Sequence, residues 1–328
     1  MEKFLVIGSN SFSGSHFVTI ALEFGAEVVG ISRSPEPADC LLAYKWQPHE
    51  HFAFRQLDLN TDLDAIMALA DKFRPDYVVC FAAQSMVAQS WEHPEHWLMT
   101  NVVSMVKFHD RLRTRDYVKQ YVQISTPEVY GNTQGAVRED APYNPSSPYA
   151  VSKAACDMSL LSFQRAYGFP VVFTRAANVC GPGQQLYRII PRTILSVLTG
   201  EKLKLEGGGH SVRSFIHIRD VCGGTLRAAR IGRPGDVFHF ATDRMVEIRE
   251  LVEMICCELG ASFEKAVEVV PARRGQDAAY RLDCTHARKE LDWMPTISLE
   301  QSITETVEWA KRNLDALRSQ PRHYVHKP

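Results

Sequence analysis

The sequence predicts an α/β protein, a Rossmann-type doubly wound parallel sheet with a smaller mixed α/β C-terminal part. Two observations carry this. Residues 3–31 read as strand, glycine-rich turn, helix and strand, which is a βαβ unit. Apolar runs at 52–57, 77–81, 121–124 and 170–175 then alternate with helical patterns, as in a parallel sheet covered on both faces. At 328 residues the chain can form one large α/β unit or two modest domains.

Taken in order, the first apolar run leads into G-S-N-S-F-S-G, Gly8 to Gly14. Phe17, Ile20, Ala21 and Phe24 follow at helical spacing, and Gly25 closes the helix. Gly8 permits a tight turn and Gly14 a close helix–strand contact. A pyrophosphate would sit on the free N–H groups of that helix N-terminus. The second strand ends in G-I-S-R-S. An acidic residue there would bind the ribose diol of NAD, whereas Arg33, with Ser32 or Ser34, suits a 2′-phosphate and favours NADP. A solvated loop arginine is the bland alternative.

The next strand ends in D-L-N, where Asp58 either contacts the cofactor or caps the helix over 63–73. Strand 77–81 runs into A-A-Q-S-M-V, whose small Ala82 and Ala83 let backbone approach a ribose. A helix spans about 94–113 and carries Asn101, which reads as a buried hydrogen-bonder.

The most informative stretch is S-T-P-E-V-Y-G at 125–131 followed by P-S-S-P-Y-A-V-S-K at 145–153. Thr126 and Glu128 sit where a strand gives way to a loop, and ligands of open α/β sheets bind outside such ends. Ser146 or Ser147 can cap the following helix and Pro148 suits its first turn. Tyr149 and Lys153, four apart, share a helix face, and an ammonium beside a phenol lowers its pKa. Tyr149 is then a plausible acid/base near neutral pH. By itself Y-x-x-x-K is equally a surface helix pair.

With these motifs together, the chain resembles the extended short-chain dehydrogenase/reductase family of NAD(P)-dependent nucleotide-sugar epimerases and dehydratases. T-x-E before Y-x-x-x-K is most similar to the nucleoside-diphosphate-sugar 4,6-dehydratases of the dTDP-glucose and GDP-mannose types. The resemblance implies catalytic Thr126, Glu128, Tyr149 and Lys153. Tyr149 would take the proton of the sugar 4-hydroxyl as C4 is oxidised, Thr126 would bind the 4-oxygen, and Glu128 would remove the C5 proton before water leaves C6. Pro127 stands where the glucose-type enzymes carry an acidic Asp, and Glu128 could return its own proton to the leaving hydroxyl. The resemblance also implies a tightly bound, recycled NADP or NAD on Gly8, Ser11, Phe12, Gly14, Arg33, Asp58, Leu59, Ala82, Ala83, Tyr149 and Lys153. The sugar nucleotide would meet Gln84, Ser85, Asn178, Arg213 and Arg273. The helices at 94–113 and 149–167 would pair across a two-fold axis in a homodimer or homotetramer. Competing readings are a C4 or C2 epimerase, a UDP-glucuronate decarboxylase, and a dinucleotide-binding regulatory protein without chemistry.

Residues 1–178 with 213–240 are expected to form the dinucleotide-binding domain, and 179–212 with 241–328 the nucleotide-sugar-binding domain. G-G-G at 207–209 reads as a mobile turn, 299–317 as a terminal helix, and 323–328 as a loose tail. A formal charge of −1 without a long basic run argues against a nucleic-acid partner. Eight scattered cysteines, no metal-ligand spacing, no signal peptide and no membrane-length apolar run lead us to expect a cytoplasmic protein without a metal.

Overall fold

Seven parallel strands form the main sheet of the computed structural model, which describes residues 1–133, 135–271 and 281–327. Their order is Val237–Phe240, Val171–Ala176, Gln120–Ile124, Tyr77–Cys80, Lys3–Ile7, Glu27–Ser32 and Phe52–Gln56. Chain order reverses direction at Lys3–Ile7, which pairs with Glu27–Ser32 on one side and Tyr77–Cys80 on the other. The crevice beyond that point is where open sheets of this kind bind ligands.

The central strands are mostly apolar because helices cover both faces. Phe4, Val6 and Val28 enter one core, while Leu5, Ile7, Val29 and Ile31 enter the other, following the two-residue alternation of a strand. A three-stranded sheet follows, in the order Met245–Glu247, Val212–His217 and Asn178–Cys180. It packs with the helices Ile189–Thr199, Ile248–Glu258 and Leu299–Arg312 around Leu186, Ile194, Leu251, Ile303 and Trp309. His16, on the first helix, donates from Nε2 to Pro182 O at 2.8 Å and meets Trp46 edge-on, joining the two regions. Burial holds its pKa down at about 4.

The helix over 94–112 differs from a plain α-helix. Its middle, Met99–Ser104, is a π-turn, the kind of wide turn that re-aims a side chain at a functional site. Here it carries Asn101, which is 1% exposed. Among the described residues no helix is long and apolar enough to cross a membrane.

Four local expectations are corrected. Gly208 and Gly209 are buried rather than a loose turn; a Cβ on Gly209 would lie 2.9 Å from the backbone N of Arg249. The helix Leu63–Phe73 has the expected bounds, but Asp62 rather than Asp58 stands at its N-cap, and the Asp62 carboxylate accepts the Asp58 N–H at 2.8 Å. The expected 299–317 helix is broken at Asn313, whose Nδ2 donates to Trp309 O, so Leu314–Arg318 is a separate turn. Finally, 324–327 is not loose: it lies across the mouth of the crevice, held by hydrogen bonds at both ends.

Candidate active site

The crevice begins at the turn after Ile7. Gly8 has φ 87°, and a Cβ there would lie 2.6 Å from Ala82 N, so only glycine lets the two strand ends meet. Gly14 is equally constrained, since its Cβ would lie 2.1 Å from Gly8 O. Ser11 explains why no glycine is needed between them. Its Oγ donates to Gly8 O at 2.7 Å and accepts from Gly14 N at 3.0 Å, capping the helix Phe12–Glu23. Such a helix N-terminus fits a pyrophosphate. Phe12 itself is buried in the core and is not among the cleft-lining residues.

Gly8, Ser11, Arg33, Asp58, Leu59, Ala82 and Ala83, all expected from the sequence, line one cleft. Asn10, Ser32, Ser34 and Thr100 line it too. Asn10 was missed: its N–H donates to Ser32 Oγ at 3.0 Å and its Nδ2 to Ser34 O at 3.0 Å, tying the glycine turn to the second strand end. An asparagine inside a glycine-rich turn was the available signal. These residues fit a dinucleotide, with a glycine cradle, a helix N-terminus and a polar ribose rim. A larger cavity, about 530 Å³, lies between Trp46, Pro182 and Trp309, and none of the motif residues lines it.

Farther along the sheet edge, two chain segments build the candidate chemistry. Ile124 ends its strand, and Thr126, Pro127 and Glu128 enter a 3₁₀ turn running to Tyr130. Thr126 Oγ1 accepts the Glu128 N–H at 3.3 Å, so its own hydroxyl proton remains a donor. Glu128 is half-buried, with Oε2 shielded from solvent. Gly131 closes the turn against Asn144, whose carbonyl would lie 2.0 Å from a Cβ at that position. Asn144 N donates to Val129 O at 2.8 Å, so the two motif pieces are stitched before the helix starts.

That helix, Pro148–Tyr167, opens as expected: Ser147 accepts the Ala150 N–H and Pro148 takes the first position. Tyr149 is 8% exposed and Lys153 3% exposed. Lys153 Nζ donates to Ile124 O at 2.7 Å, which fixes the ammonium at the strand end two residues before Thr126. Ser90 Oγ accepts the Tyr149 N–H at 3.2 Å. Asn101 joins this helix to the A-A-Q-S loop: its Oδ1 accepts from Gln84 N at 2.8 Å, and its Nδ2 donates to Gln84 O and Ser152 Oγ at 2.9 Å. It is therefore a positioning residue, as its burial suggested.

Behind the Thr126 turn lies a buried ion pair that sequence reasoning missed. Asp157 Oδ2 meets Arg175 Nη2 at 3.0 Å, and both side chains are at most 1% exposed. Ser125 Oγ donates to the same carboxylate oxygen at 2.5 Å. Arg175 also lies over the Tyr130 and Tyr143 rings. Burial opposes its charge, but the Asp157 carboxylate more than offsets this and holds the guanidinium protonated. Tyr130 Oη meets His239 Nε2 at 2.8 Å, and burial keeps His239 neutral, with a pKa of about 3. The turn carrying Thr126 and Glu128 thus rests on a charged, fully packed foundation.

The expected sugar-side residues lie on separate elements, and among the described residues none of them lines the dinucleotide cleft. Gln84 is 2% exposed, whereas Ser85 is exposed. Asn178 starts its strand opposite Phe215, and its Nδ2 donates to Ser214 O at 3.2 Å. Arg213, half-buried on the neighbouring strand, donates to Val212 O at 2.8 Å. Arg273 lies outside the described residues. Away from these motifs, His93, Glu95 and His96 each offer a ligand atom within 4.8 Å of one another.

The family described as GDP-mannose 4,6 dehydratase matches residues 5–306. A dTDP-glucose 4,6-dehydratase of Xanthomonas campestris pv. campestris is 31% identical over 331 residues, covering 95% of this chain and 94% of that protein. One from Streptomyces antibioticus is 32% identical over 322 residues, covering 94% and 92%. Among solved structures, the dTDP-glucose 4,6-dehydratase DesIV of Streptomyces venezuelae, with NAD and TYD bound, matches with a TM-score of 0.88 at 30% identity, over 96% of this chain and 98% of that one. A UDP-glucose 4-epimerase of Thermotoga maritima, with UDP-glucose, matches with a TM-score of 0.86 at 28% identity, over 95% and 99%.

Proposed function

The chain belongs to the GDP-mannose 4,6-dehydratase family and is an NAD(P)-dependent nucleotide-sugar 4,6-dehydratase; from that premise we propose how its own residues divide the reaction. A nicotinamide bound in the cleft supplies a hydride acceptor and donor for the sugar. Tyr149 accepts the proton of the sugar 4-hydroxyl. Lys153, fixed on Ile124 O, stabilises the phenolate form of Tyr149 that takes this proton and offers donors to the cofactor ribose. Thr126 donates its hydroxyl proton to the sugar 4-oxygen, since its own oxygen is engaged by Glu128 N.

Glu128 is the base that removes the C5 proton, which a 4-keto group has acidified. Pro127 has no proton to give, so Glu128 also returns a proton to the hydroxyl leaving C6. Arg213 and Arg273 neutralise the substrate diphosphate, and Gln84, Ser85 and Asn178 bind the sugar nucleotide. The substrate class is a nucleoside-diphosphate hexose.

The observation that carries this reading is the convergence of two elements. The Lys153–Ile124 bond and the Asn144–Val129 bond bring the tyrosine helix onto the turn that holds Thr126 and Glu128. We assign residues 1–178 with 213–240 to cofactor binding, and 179–212 with 241–328 to the sugar nucleotide. The strand Val212–His217 departs from that division, because it pairs in the small sheet, and only the helix after it packs on the first helix of the chain. A cytoplasmic location agrees with eight free cysteines.

The test is incubation with dTDP-glucose, GDP-mannose, UDP-glucose and UDP-glucuronate, followed by mass spectrometry. A dehydratase yields a product lighter by one water. A product of unchanged mass would identify an epimerase, and loss of carbon dioxide from UDP-glucuronate a decarboxylase.

A further inference from the structure

A chain of hydrogen bonds runs from Gln84 through the tail 324–327 to His96, and one amide fixes its direction. Gln84 Nε2 meets the Lys327 carbonyl at 2.5 Å, and a carbonyl only accepts, so that end of the amide carries the protons. Gln84 Oε1 is therefore the acceptor of the Tyr324 hydroxyl, 3.3 Å away. With its proton given to Gln84, Tyr324 Oη accepts from His326 Nδ1 at 3.3 Å. A neutral imidazole protonated at Nδ1 has a lone pair at Nε2. His326 Nε2 lies 2.8 Å from His96 Nδ1, so His96 is the donor of that bond. In this tautomer His96 keeps a lone pair at its own Nε2.

That lone pair faces a carboxylate. His96 Nε2 lies 3.7 Å from Glu95 Oε1, and the same oxygen lies 3.6 Å from His93 Nδ1. A lone pair against a carboxylate oxygen is repulsive, and a cation between them reverses the sign. The His93 and His96 rings stack with centres 5.1 Å apart. Three ligand atoms of a tetrahedral zinc ion, at bonds of about 2.0–2.1 Å, stand about 3.4 Å from one another. His93 and Glu95 are exposed and can close the remaining few tenths of an ångström by side-chain rotation. Behind them the support is rigid: His326 stacks on fully buried Trp97, with ring centres 5.1 Å and planes 6° apart.

We propose that His93, Glu95 and His96 bind one divalent transition-metal ion of the zinc class, that His326 is a positioning residue fixing the His96 tautomer, and that the ion fastens the tail 324–327 in place. Two imidazoles and a carboxylate suit zinc, cobalt or nickel, whereas magnesium and calcium take oxygen ligands. A ligating histidine gives its other N–H to a fixed acceptor, which is the place His326 holds. Three protein ligands leave a fourth position to water. The metal makes His96 a stronger N–H donor, so ion binding and docking of the tail favour each other. None of the three ligands lines the dinucleotide cleft, and the site is independent of which sugar reaction the enzyme catalyses.

The test is zinc titration of chelator-treated full-length protein by calorimetry, with cobalt absorption as a second probe and hydrogen exchange of the tail as a third. One zinc per chain is expected, and excess magnesium is expected not to displace it. His96→Ala and Glu95→Gln are each expected to weaken zinc about tenfold or more. His326→Phe keeps a ring on Trp97 but removes the acceptor, and is expected to weaken zinc by about 10–100-fold. Zinc is expected to slow exchange at 324–327 in the wild type and not in His96→Ala. A wild-type protein that binds no zinc at about 100 μM would overturn the site. So would a sulfur-to-cobalt charge-transfer band, which would put the ion on a cysteine and needs no variant to fold. Unchanged zinc affinity in His326→Phe would overturn the positioning role, and tail exchange indifferent to zinc would overturn the fastening.

Discussion

Lys153 Nζ rests on the carbonyl oxygen of Ile124 at 2.7 Å, a contact between residues 29 apart in the chain. It sets the ammonium at the end of the strand that leads to Thr126, one helical turn from Tyr149 on the same face. The tyrosine–lysine pair and the threonine–glutamate turn are thus parts of one site. Lys153→Met keeps length and removes charge. Turnover is expected to fall by roughly 10²–10⁴-fold with little change in melting temperature. Steady-state kinetics beside a thermal melt check this, and a fully active Lys153→Met enzyme would contradict the role given to the ammonium.

Asp157 and Arg175 support the catalytic turn from below. Removing one partner of a buried pair strands the other charge, which typically costs about 3–5 kcal/mol. Asp157→Asn is therefore expected to lower unfolding free energy by an amount in that range, read by urea denaturation. Ser125 also loses its carboxylate acceptor, so kcat is expected to drop even under conditions where the variant is fully folded.

Among the described residues four histidines are buried, His16, His109, His217 and His239, and they contribute to the acid limb of stability. Burial lowers the pKa of His109 and His239 to about 3 and of His16 to about 4. An unfolded histidine titrates near 6.5. Between these values the unfolded chain binds more protons than the folded one, so stability falls as pH drops below about 6.5. Each such histidine contributes a slope of about 1.4 kcal/mol per pH unit inside its window. His109→Gln should flatten the dependence measured by denaturation between about pH 4 and 6.

Assembly is expected through the helices 94–112 and Pro148–Tyr167. Leu98, Met99, Val103, Val151 and Met158 on these helices are between 39% and 57% exposed, a concentration of large apolar side chains that a second copy would cover. Sedimentation should give a dimer or tetramer, and Val103→Asp combined with Met158→Asp should shift it to monomer. A wild-type monomer at micromolar concentration would refute the interface.

Much of the site was legible because its signals are local. A glycine turn between strand and helix, Ser147–Pro148 before Tyr149, and a threonine at a strand end each identify their own backbone setting. What stayed hidden depends on contacts distant in sequence. Arg175 sits in an apolar strand run, and nothing nearby indicates that Asp157, on another element, will neutralise it. The π-turn that aims Asn101 leaves no mark on helical periodicity. The tail at 323–328 lacks any period, so it reads as loose. Its order comes from Trp97, Tyr187 and Gln84, far away in the chain.

The most direct measurement of the central claim follows the C5 hydrogen. Wild-type enzyme turns over its nucleotide sugar in deuterated water, and the product is analysed by mass spectrometry and NMR. Glu128 as C5 base predicts loss of water and solvent deuterium at C5 in the wild-type product. It also predicts that Glu128→Gln, folded and still able to bind substrate, loses both signals by roughly 10²-fold or more in rate. A Glu128→Gln enzyme that eliminates water at the wild-type rate, or a wild-type product with unchanged mass and no deuterium at C5, would contradict the account.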